Sequence, residues 1–545
     1  MTIFREISDA PSSVATPYHM AAGDEFWGNL TLGEHDWVAI TLQAGATYSF
    51  GAVGVGVLDS GVTNPKLILH GENGQVLMRD DNSGPGSSAG LTFTAATTGT
   101  YYLDVLAVDT GFNGTYGLSA TLGQKVSYGV ELGAAELYRP AASWASGAAA
   151  PVHLTYGFRA SGPADDADGS RVPFHKVTAA QMDAVAAALG NYSDVANLTF
   201  ERVNPSGFTN SATILVGQYT STTDGAGAYA NFPGSTGSRS VDGDLWLNTD
   251  SVSQNRLPPG SYSAYVMLHE LGHAMGLDHP GDYNAAPNVD ITYAKDAQFK
   301  QDSGQYTVMS YFDAVDTQPH APRHFAQTLM MYDIYALQQL YGVNTSARAG
   351  NSVYGFHSNV GGAYNFAKNA APLLCIWDGA GRDRLDVSGF VMAQKIDLNA
   401  GHFSDIGGFK ENVSIALSCR IEAAVGGSGN DTVIGNALGN RLVGNAGNDT
   451  LIGNAGNDRL VGNGGADDFV FAKGSGKDTV VDFLGADELH LAASLWNGFV
   501  LSAAQVVSDF ARQDSGHVVL DFGADEIALL SVATITGLAG HIVIE

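Results

Sequence analysis

The sequence predicts a multidomain chain: an N-terminal β-sandwich, an α/β domain, and a C-terminal parallel β-roll with a β-rich end. Three observations predict it. Residues 20–122 alternate apolar and polar positions in short runs broken by Gly and Asn. Residues 135–345 mix such runs with stretches of helical periodicity. From residue 426 the chain repeats itself every nine residues, and self-similarity that tight is architectural. At 545 residues the chain exceeds what one hydrophobic core sustains, and the boundaries fall at 1–125, 126–345 and 346–545.

Composition narrows the partners. Hydrophobic residues make up 45%, enough for real cores, while only 15% are charged and 68 are Gly, which favours turns and strands over long solvated helices. A formal net charge of −29 argues against nucleic acid and anionic membranes. The 55 acidic residues are a pool of calcium ligands. Two cysteines, Cys375 and Cys419, make no disulfide framework; free buried thiols are the favoured reading and a single pair the other. The first twenty residues lack the basic and apolar regions of a Sec signal, and no stretch reaches the roughly 20 apolar residues of a membrane span.

The first domain reads as strands in "DWVAITLQAGATYSF", "PKLILHGENGQVLMRDD", "GTYYLDVLAVDTG" and "GTYGLSATL", with "GENGQ" as a hairpin turn. With "GDEFWGNLTLGEHDWVAITLQAG", "RDDNSG" and "TGTYYLDV", this stretch resembles the pre-peptidase C-terminal domain, a small β-sandwich appended to secreted bacterial proteases. In the second domain, "TAAQMDAVAAALGNYSDVA" is a helix capped by Thr178, "SATILVGQY" and "GDLWLNTD" are strands, and "SAYVMLHELGHAMGL" is the next helix. "AQTLMMYDIYALQQLYG" is a further helix ended by Gly342.

The chemistry sits in "HELGHAMGLDHP". On a helix His269 and His273 are i and i+4, so they share a face and can grip one tetrahedral zinc. Glu270 projects beside them. Gly276 permits a sharp turn that returns His279 as a third ligand, leaving a position open as catalytic zinc sites do. The bland alternative is a surface helix rich in histidine. The full HExxHxxGxxH pattern is far more restrictive than HExxH and is the metzincin signature. That signature demands a methionine turn downstream, and "QYTVMSYF" supplies Met309, thirty residues after His279.

These motifs, followed by "MMYDIYALQQLYG", "YGFHSN", "KIDLNAGHFSDIGGFKENVSIAL" and nonapeptide repeats, resemble the serralysins, secreted bacterial zinc endopeptidases, over residues 135–545. The resemblance implies an α/β metzincin catalytic domain with Tyr311 as a zinc-ligating and catalytic residue. It also implies a substrate lying extended along "GAYANF", residues 227–232, although an internal strand reads equally well there. Zinc acidifies its water, Glu270 takes the proton as general base, and the peptide carbonyl is polarised for attack. Glu270 then returns the proton to the leaving amine.

In "GGSGNDTVI" and the four copies that follow, glycines turn, the sixth position offers a carboxylate and the eighth points inward. Two copies make one coil, so residues eighteen apart stack. Asp431, Asp449 and Asp467 align in this way, whereas Asp458 meets Asn440. "WDGAGRDRLD" is an isolated copy with Asp383 in the carboxylate position. Calcium is the expected cation, held by Asp383, Asp431, Asn440, Asp449, Asp458, Asp467 and the turn residues Gly427, Gly429, Gly447, Gly456 and Gly465; a metal-free solenoid is the alternative. The serralysin resemblance implies export of an unfolded chain through a type I secretion apparatus, on an uncleaved C-terminal signal. "HIVIE" departs from the family's acidic-then-apolar ending, because Glu545 follows the apolar triplet.

The expected protein is thus an extracellular, monomeric zinc endopeptidase folded by calcium, acting on proteins and peptides, with no nucleic acid partner and no membrane insertion. Two rivals stand beside it. One is a calcium-dependent binding or adhesion protein with an inactive peptidase domain. The other is a serine hydrolase using "GSSAG", residues 86–90, though that stretch lacks the strand-then-helix context of a nucleophile elbow.

Overall fold

A computed structural model describes residues 2–31, 33–56, 64–84, 88–108, 114–138, 142–147, 149–162, 173–222, 225–234, 241–286 and 289–545. The chain divides into two compact units, residues 1–319 with 323–344, and residues 320–322 with 345–545.

The first unit begins with two five-stranded sheets. One runs Ile3–Arg5, Glu25–Leu30, Gly114–Leu122, Thr47–Gly54, Ala89–Thr94; the other runs His19–Met20, Asp36–Leu42, Gly99–Ala107, Pro65–His70, Val76–Asp80. Period-2 alternation drives both. Val38, Ile40 and Leu42 join Phe26, Phe50, Leu67, Leu103 and Leu118 in one shared core, while Trp37 and Ala39 point the other way and meet Tyr102. The expected hairpin at "GENGQ" is present: Gly74 has φ +78°, and Gly71 N–H donates to the Gln75 carbonyl at 2.9 Å.

The rest of this unit holds a mixed sheet in the order Leu198–Arg202, Val152–Phe158, Ile214–Tyr219, Leu245–Asn248, Ala228–Ala230. The first four strands pair in parallel, and Ala228–Ala230 closes one edge antiparallel. Helix Ala179–Val195 starts on Thr178, whose capping box with Gln181 satisfies backbone donors at its first turn. Helix Tyr262–Ala274 starts on Ser261, which accepts from Ala264 N–H, and is buried nearly all round. Helix Met331–Tyr341 begins five residues later than the periodicity predicts. The reason is local: the Asp333 carboxylate accepts the Met330 N–H at 2.8 Å and so fixes the first turn there. Gly342 ends it at φ +79°, where a Cβ would stand 2.7 Å from the Ala149 carbonyl oxygen.

The second unit winds short parallel strands into two stacked sheets. Thr432–Ile434, Thr450–Ile452 and Asp468–Phe471 stack in one; Ala423–Val425, Arg441–Ala446 and Arg459–Gly464 stack in the other. The register is eighteen residues within the repeats, as Thr432 opposite Thr450 shows. It lengthens to twenty beyond them, where Asp468 faces Glu488 and Leu460 faces Val480. Val433, Leu442, Leu451, Leu460 and Phe469 are all fully buried between the sheets. The coils pack so closely that a Cβ on Gly465 (φ +159°) would lie 1.8 Å from the Gly447 carbonyl oxygen. Cys375 and Cys419 are buried free thiols.

Candidate metal centre

The helix Tyr262–Ala274 carries His269, Glu270 and His273 on its buried length. It ends at Gly276, whose φ of +88° reverses the chain; a Cβ there would stand 1.7 Å from the Ala142 carbonyl oxygen, so only glycine makes this turn. The reversal brings His279 back. Its Nε2 lies 3.1 Å from His273 Nε2 and 3.3 Å from His269 Nε2. Zinc–nitrogen bonds of 2.0–2.1 Å in a tetrahedron set ligand nitrogens about 3.3 Å apart, so the three rings fit that ion.

Their orientation is fixed from behind. His269 Nδ1 faces the Val308 carbonyl at 2.8 Å and His273 Nδ1 the Leu277 carbonyl at 2.8 Å. Each ring therefore keeps its proton on Nδ1 and presents a lone pair inward. Burial holds both imidazoles neutral, lowering His269 to about 3 and His273 to about 4. Glu270 is buried beside them; one of its oxygens has no hydrogen-bond partner, and burial raises its carboxyl to about 8.

The floor is built by residues far along the chain. Met309 is fully buried and packs on the helix at Gly272, where a Cβ would meet its Sδ at 2.3 Å. Asp333, also fully buried, accepts the Thr307 hydroxyl at 2.6 Å and the Val308 N–H at 2.8 Å, which places the very peptide whose carbonyl orients His269. Tyr283 lies parallel to His279, with ring centroids 5.6 Å apart, and donates its hydroxyl to Asp302 at 2.7 Å; Ser310 donates to the same oxygen at 2.7 Å. Sequence reasoning missed Asp302, Tyr283 and Asp333. Tyr311 packs edge-on to His279 at 4.5 Å between centroids, and its hydroxyl accepts from Ala285 N–H at 3.4 Å. Phe232, in "GAYANF", packs edge-on to His273 at 5.1 Å, so the strand Ala228–Ala230 and its following residues border the histidines.

Of "GSSAG", residues 86 and 87 lie outside the described residues. Ser88 is buried and donates to Glu136 at 2.9 Å, and a strand, Ala89–Thr94, follows it, so the context of a nucleophile elbow is absent there.

Comparison with known proteins places this geometry. A family model described as Matrixin matches residues 172–309, and one described as Peptidase M10 serralysin C terminal matches residues 343–537. Metallopeptidase AprA of Pseudomonas marginalis is 40% identical over 77% of this chain and 91% of its own length. The chain belongs to the serralysin family. Serralysin B and serralysin G of Dickeya chrysanthemi are 38% and 40% identical, over 73% and 80% of their lengths. A serralysin-family chain with this histidine cluster is a zinc metalloendopeptidase, and the family implies a catalytic zinc. The pre-peptidase C-terminal domain of a Bacillus anthracis collagenase aligns over 19% of the chain with TM-score 0.16. No helix among the described residues is long and apolar enough to cross a membrane.

The repeats of this serralysin-family chain bring their carboxylates into two rows. In one, Asp431 N–H donates to Asp449 at 2.8 Å, Asp449 N–H to Asp467 at 2.9 Å, and Asp467 N–H to Asp487 at 3.0 Å. In the other, Asn440 N–H donates to Asp458 at 2.7 Å and Asp458 N–H to Asp478 at 2.9 Å. The second oxygens of Asp449, Asp458 and Asp478 are buried without partners. Burial raises each of these three carboxyls to about 7. Asp383 accepts from Ser352 N–H at 2.7 Å. Asp478 and Asp487 extend the rows past the nonapeptides and were not legible in the nine-residue period.

Proposed function

We propose that His269, His273 and His279 hold the catalytic zinc, with Tyr311 as an additional ligand at rest, and that Glu270 is the general base. The observation that carries this is the convergence of three Nε2 atoms within 3.3 Å steps at the foot of a carboxylate with a buried free oxygen. When bound, zinc supplies a Lewis acid that polarises the scissile carbonyl and acidifies water. The chain does the rest. The edge strand Ala228–Ala230, continued to Phe232, offers backbone groups to an extended peptide. Glu270 accepts the proton of the attacking water and delivers it to the leaving amine. Tyr311, released from its resting position, donates its hydroxyl to the developing oxyanion.

Calcium is the second ion of this reading. It binds between coils through Asp383, Asp431, Asp449, Asp458 and Asp467, with Asn440 and the turn glycines 427, 429, 447, 456 and 465, and folds residues 370–480; the free second oxygens of Asp449 and Asp458 support this. Residues 1–125 act as a β-sandwich module of the pre-peptidase type, 126–345 as the catalytic domain, and 346–545 as the calcium roll. The protein is secreted, by a type I apparatus, and works on extracellular proteins as a monomer. Replacing His273 or His279 by Ala tests the ligand set. Zinc content should fall from one per chain to near zero after dialysis, with casein cleavage lost; a variant that keeps stoichiometric zinc removes that residue from the set.

A further inference from the structure

The chain leaves the last sandwich strand at Leu122, and the segment that follows is bonded on both sides. On the sandwich side, the Ser119 hydroxyl donates to the Ser127 carbonyl at 2.7 Å and Ser127 N–H donates to the Thr121 hydroxyl at 2.9 Å. Gly129 N–H donates to the buried Glu25 carboxylate at 2.7 Å. Tyr128 is buried, and its hydroxyl ends against the strand Thr47–Gly54. A Cβ on Gly51 would lie 2.2 Å from that hydroxyl oxygen. Gly51 has no positive φ, so the glycine there makes room for the tyrosine rather than for a turn.

On the other side the same segment grips the catalytic domain. Val126 bridges Phe299 in parallel, and Lys300 N–H donates to the Val126 carbonyl at 2.8 Å. The Gln301 amide bonds twice: it accepts Tyr128 N–H at 3.0 Å and donates to the Ser127 hydroxyl at 2.6 Å. The Tyr128 ring packs on Phe299 with centroids 5.1 Å apart. The Tyr332 hydroxyl donates to the Tyr128 carbonyl at 3.0 Å.

Gln301 and Tyr332 each precede an acid that shapes the metal centre. Asp302 takes the hydroxyls of Tyr283, which lies parallel to His279, and of Ser310, which stands between Met309 and Tyr311. Asp333 holds the Val308 peptide whose carbonyl orients His269. All of these residues lie in one compact unit, and close-packed interiors transmit small displacements rather than absorb them.

We infer that the N-terminal sandwich positions the metal centre, with Tyr128 and Gln301 as positioning residues that hold Asp302 and Asp333 in place behind His279 and His269. This rests on the three-histidine zinc reading. A freely tethered module would behave in the opposite way: disturbing the sandwich would leave the histidines untouched.

The test compares three variants of the full chain. Gly51→Ala pushes on the Tyr128 hydroxyl from inside the sandwich. Gln301→Ala removes both amide bonds from the catalytic side. Gly99→Ala, in the other sandwich sheet with nothing within 4 Å of the added Cβ, is the control. In the metal-free chain, the first two should speed hydrogen exchange across residues 297–311. They should also weaken zinc binding by about 10–100-fold in chelator competition and lower kcat by about 10-fold or more with little change in KM. Adding Tyr128→Phe to Gly51→Ala removes the atom the new Cβ meets first and should restore part of the zinc affinity. If Gly51→Ala does not fold, Gln301→Ala decides, because it lies outside the sandwich. Exchange across 297–311 and zinc affinity equal to the Gly99→Ala control would overturn the inference. Failure of the zinc reading itself would show separately, as a wild-type chain that binds no zinc.

Discussion

Replacing Asp333 should damage the metal centre although it touches no histidine. Its carboxylate accepts three bonds, from the Thr307 hydroxyl (2.6 Å), Val308 N–H (2.8 Å) and Met330 N–H (2.8 Å), all buried. Asp333→Ala leaves two buried backbone donors unsatisfied. At about 1–3 kcal/mol each, less the relief of removing a buried acid, the loss is about 2–4 kcal/mol. Asp333→Asn keeps an oxygen for the two N–H groups, and the Thr307 hydroxyl can turn to accept from the new amide, so it should lose only about 1 kcal/mol. Because Val308 offers its carbonyl to His269, Asp333→Ala should also weaken zinc binding by about 10–100-fold, as loss of an outer partner typically does. Burial raises Asp333 to about 7 in the folded chain, with its three hydrogen bonds opposing the shift. The sign follows: a raised folded value means a contribution fully present below the unfolded value of about 4 and lost as pH rises through about 7. Wild type should therefore lose stability relative to Asp333→Asn between pH 4 and 7. Denaturant titrations at several pH values, with zinc affinity from chelator competition, check this. Equal stability and equal zinc affinity in Asp333→Ala would refute the chain of contacts.

Three further outcomes are expected. Tyr311→Phe should keep zinc, held by three histidines, and lower kcat by up to about 10²-fold with little change in KM, because an oxyanion donor acts mainly in the transition state; steady-state kinetics on a fluorogenic peptide would show an unchanged kcat if Tyr311 only packs. Removing calcium with EGTA should lower β content and open residues 370–480 to proteolysis, since stacked carboxylates then repel; an unchanged digestion pattern would contradict the calcium reading. Asn440→Asp should strengthen calcium binding at the coil where Asn440 meets Asp458, measured by calcium titration, and equal or weaker affinity would count against that role for the row.

Much of this protein was legible in its sequence because the information is periodic. The i and i+4 histidines, the Thr178 cap, the Gly342 stop and the eighteen-residue register are short-range patterns, and the structure carries each of them. What stayed hidden depends on pairing across the chain. Asp333 meets Val308 from 25 residues away, and nothing in "MMYDIY" marks one acid as buried. Asp302 reaches Tyr283 only because the loop after the third histidine folds back. The carboxylate rows continue through Asp478 and Asp487 at a spacing of twenty, which the nine-residue period passes over. The helical pattern predicts a start at 326 because "AQTLMM" continues it, while the backbone there is held by the Asp333 cap and the helix starts at 331.

The central claim is that Glu270 moves the proton beside a zinc held by His269, His273 and His279. The most direct measurement is paired: zinc content and casein cleavage of purified Glu270→Ala. One zinc per chain with cleavage reduced by about 10²–10⁴-fold or more is the predicted result. A zinc-loaded Glu270→Ala that cleaves at the wild-type rate would contradict it.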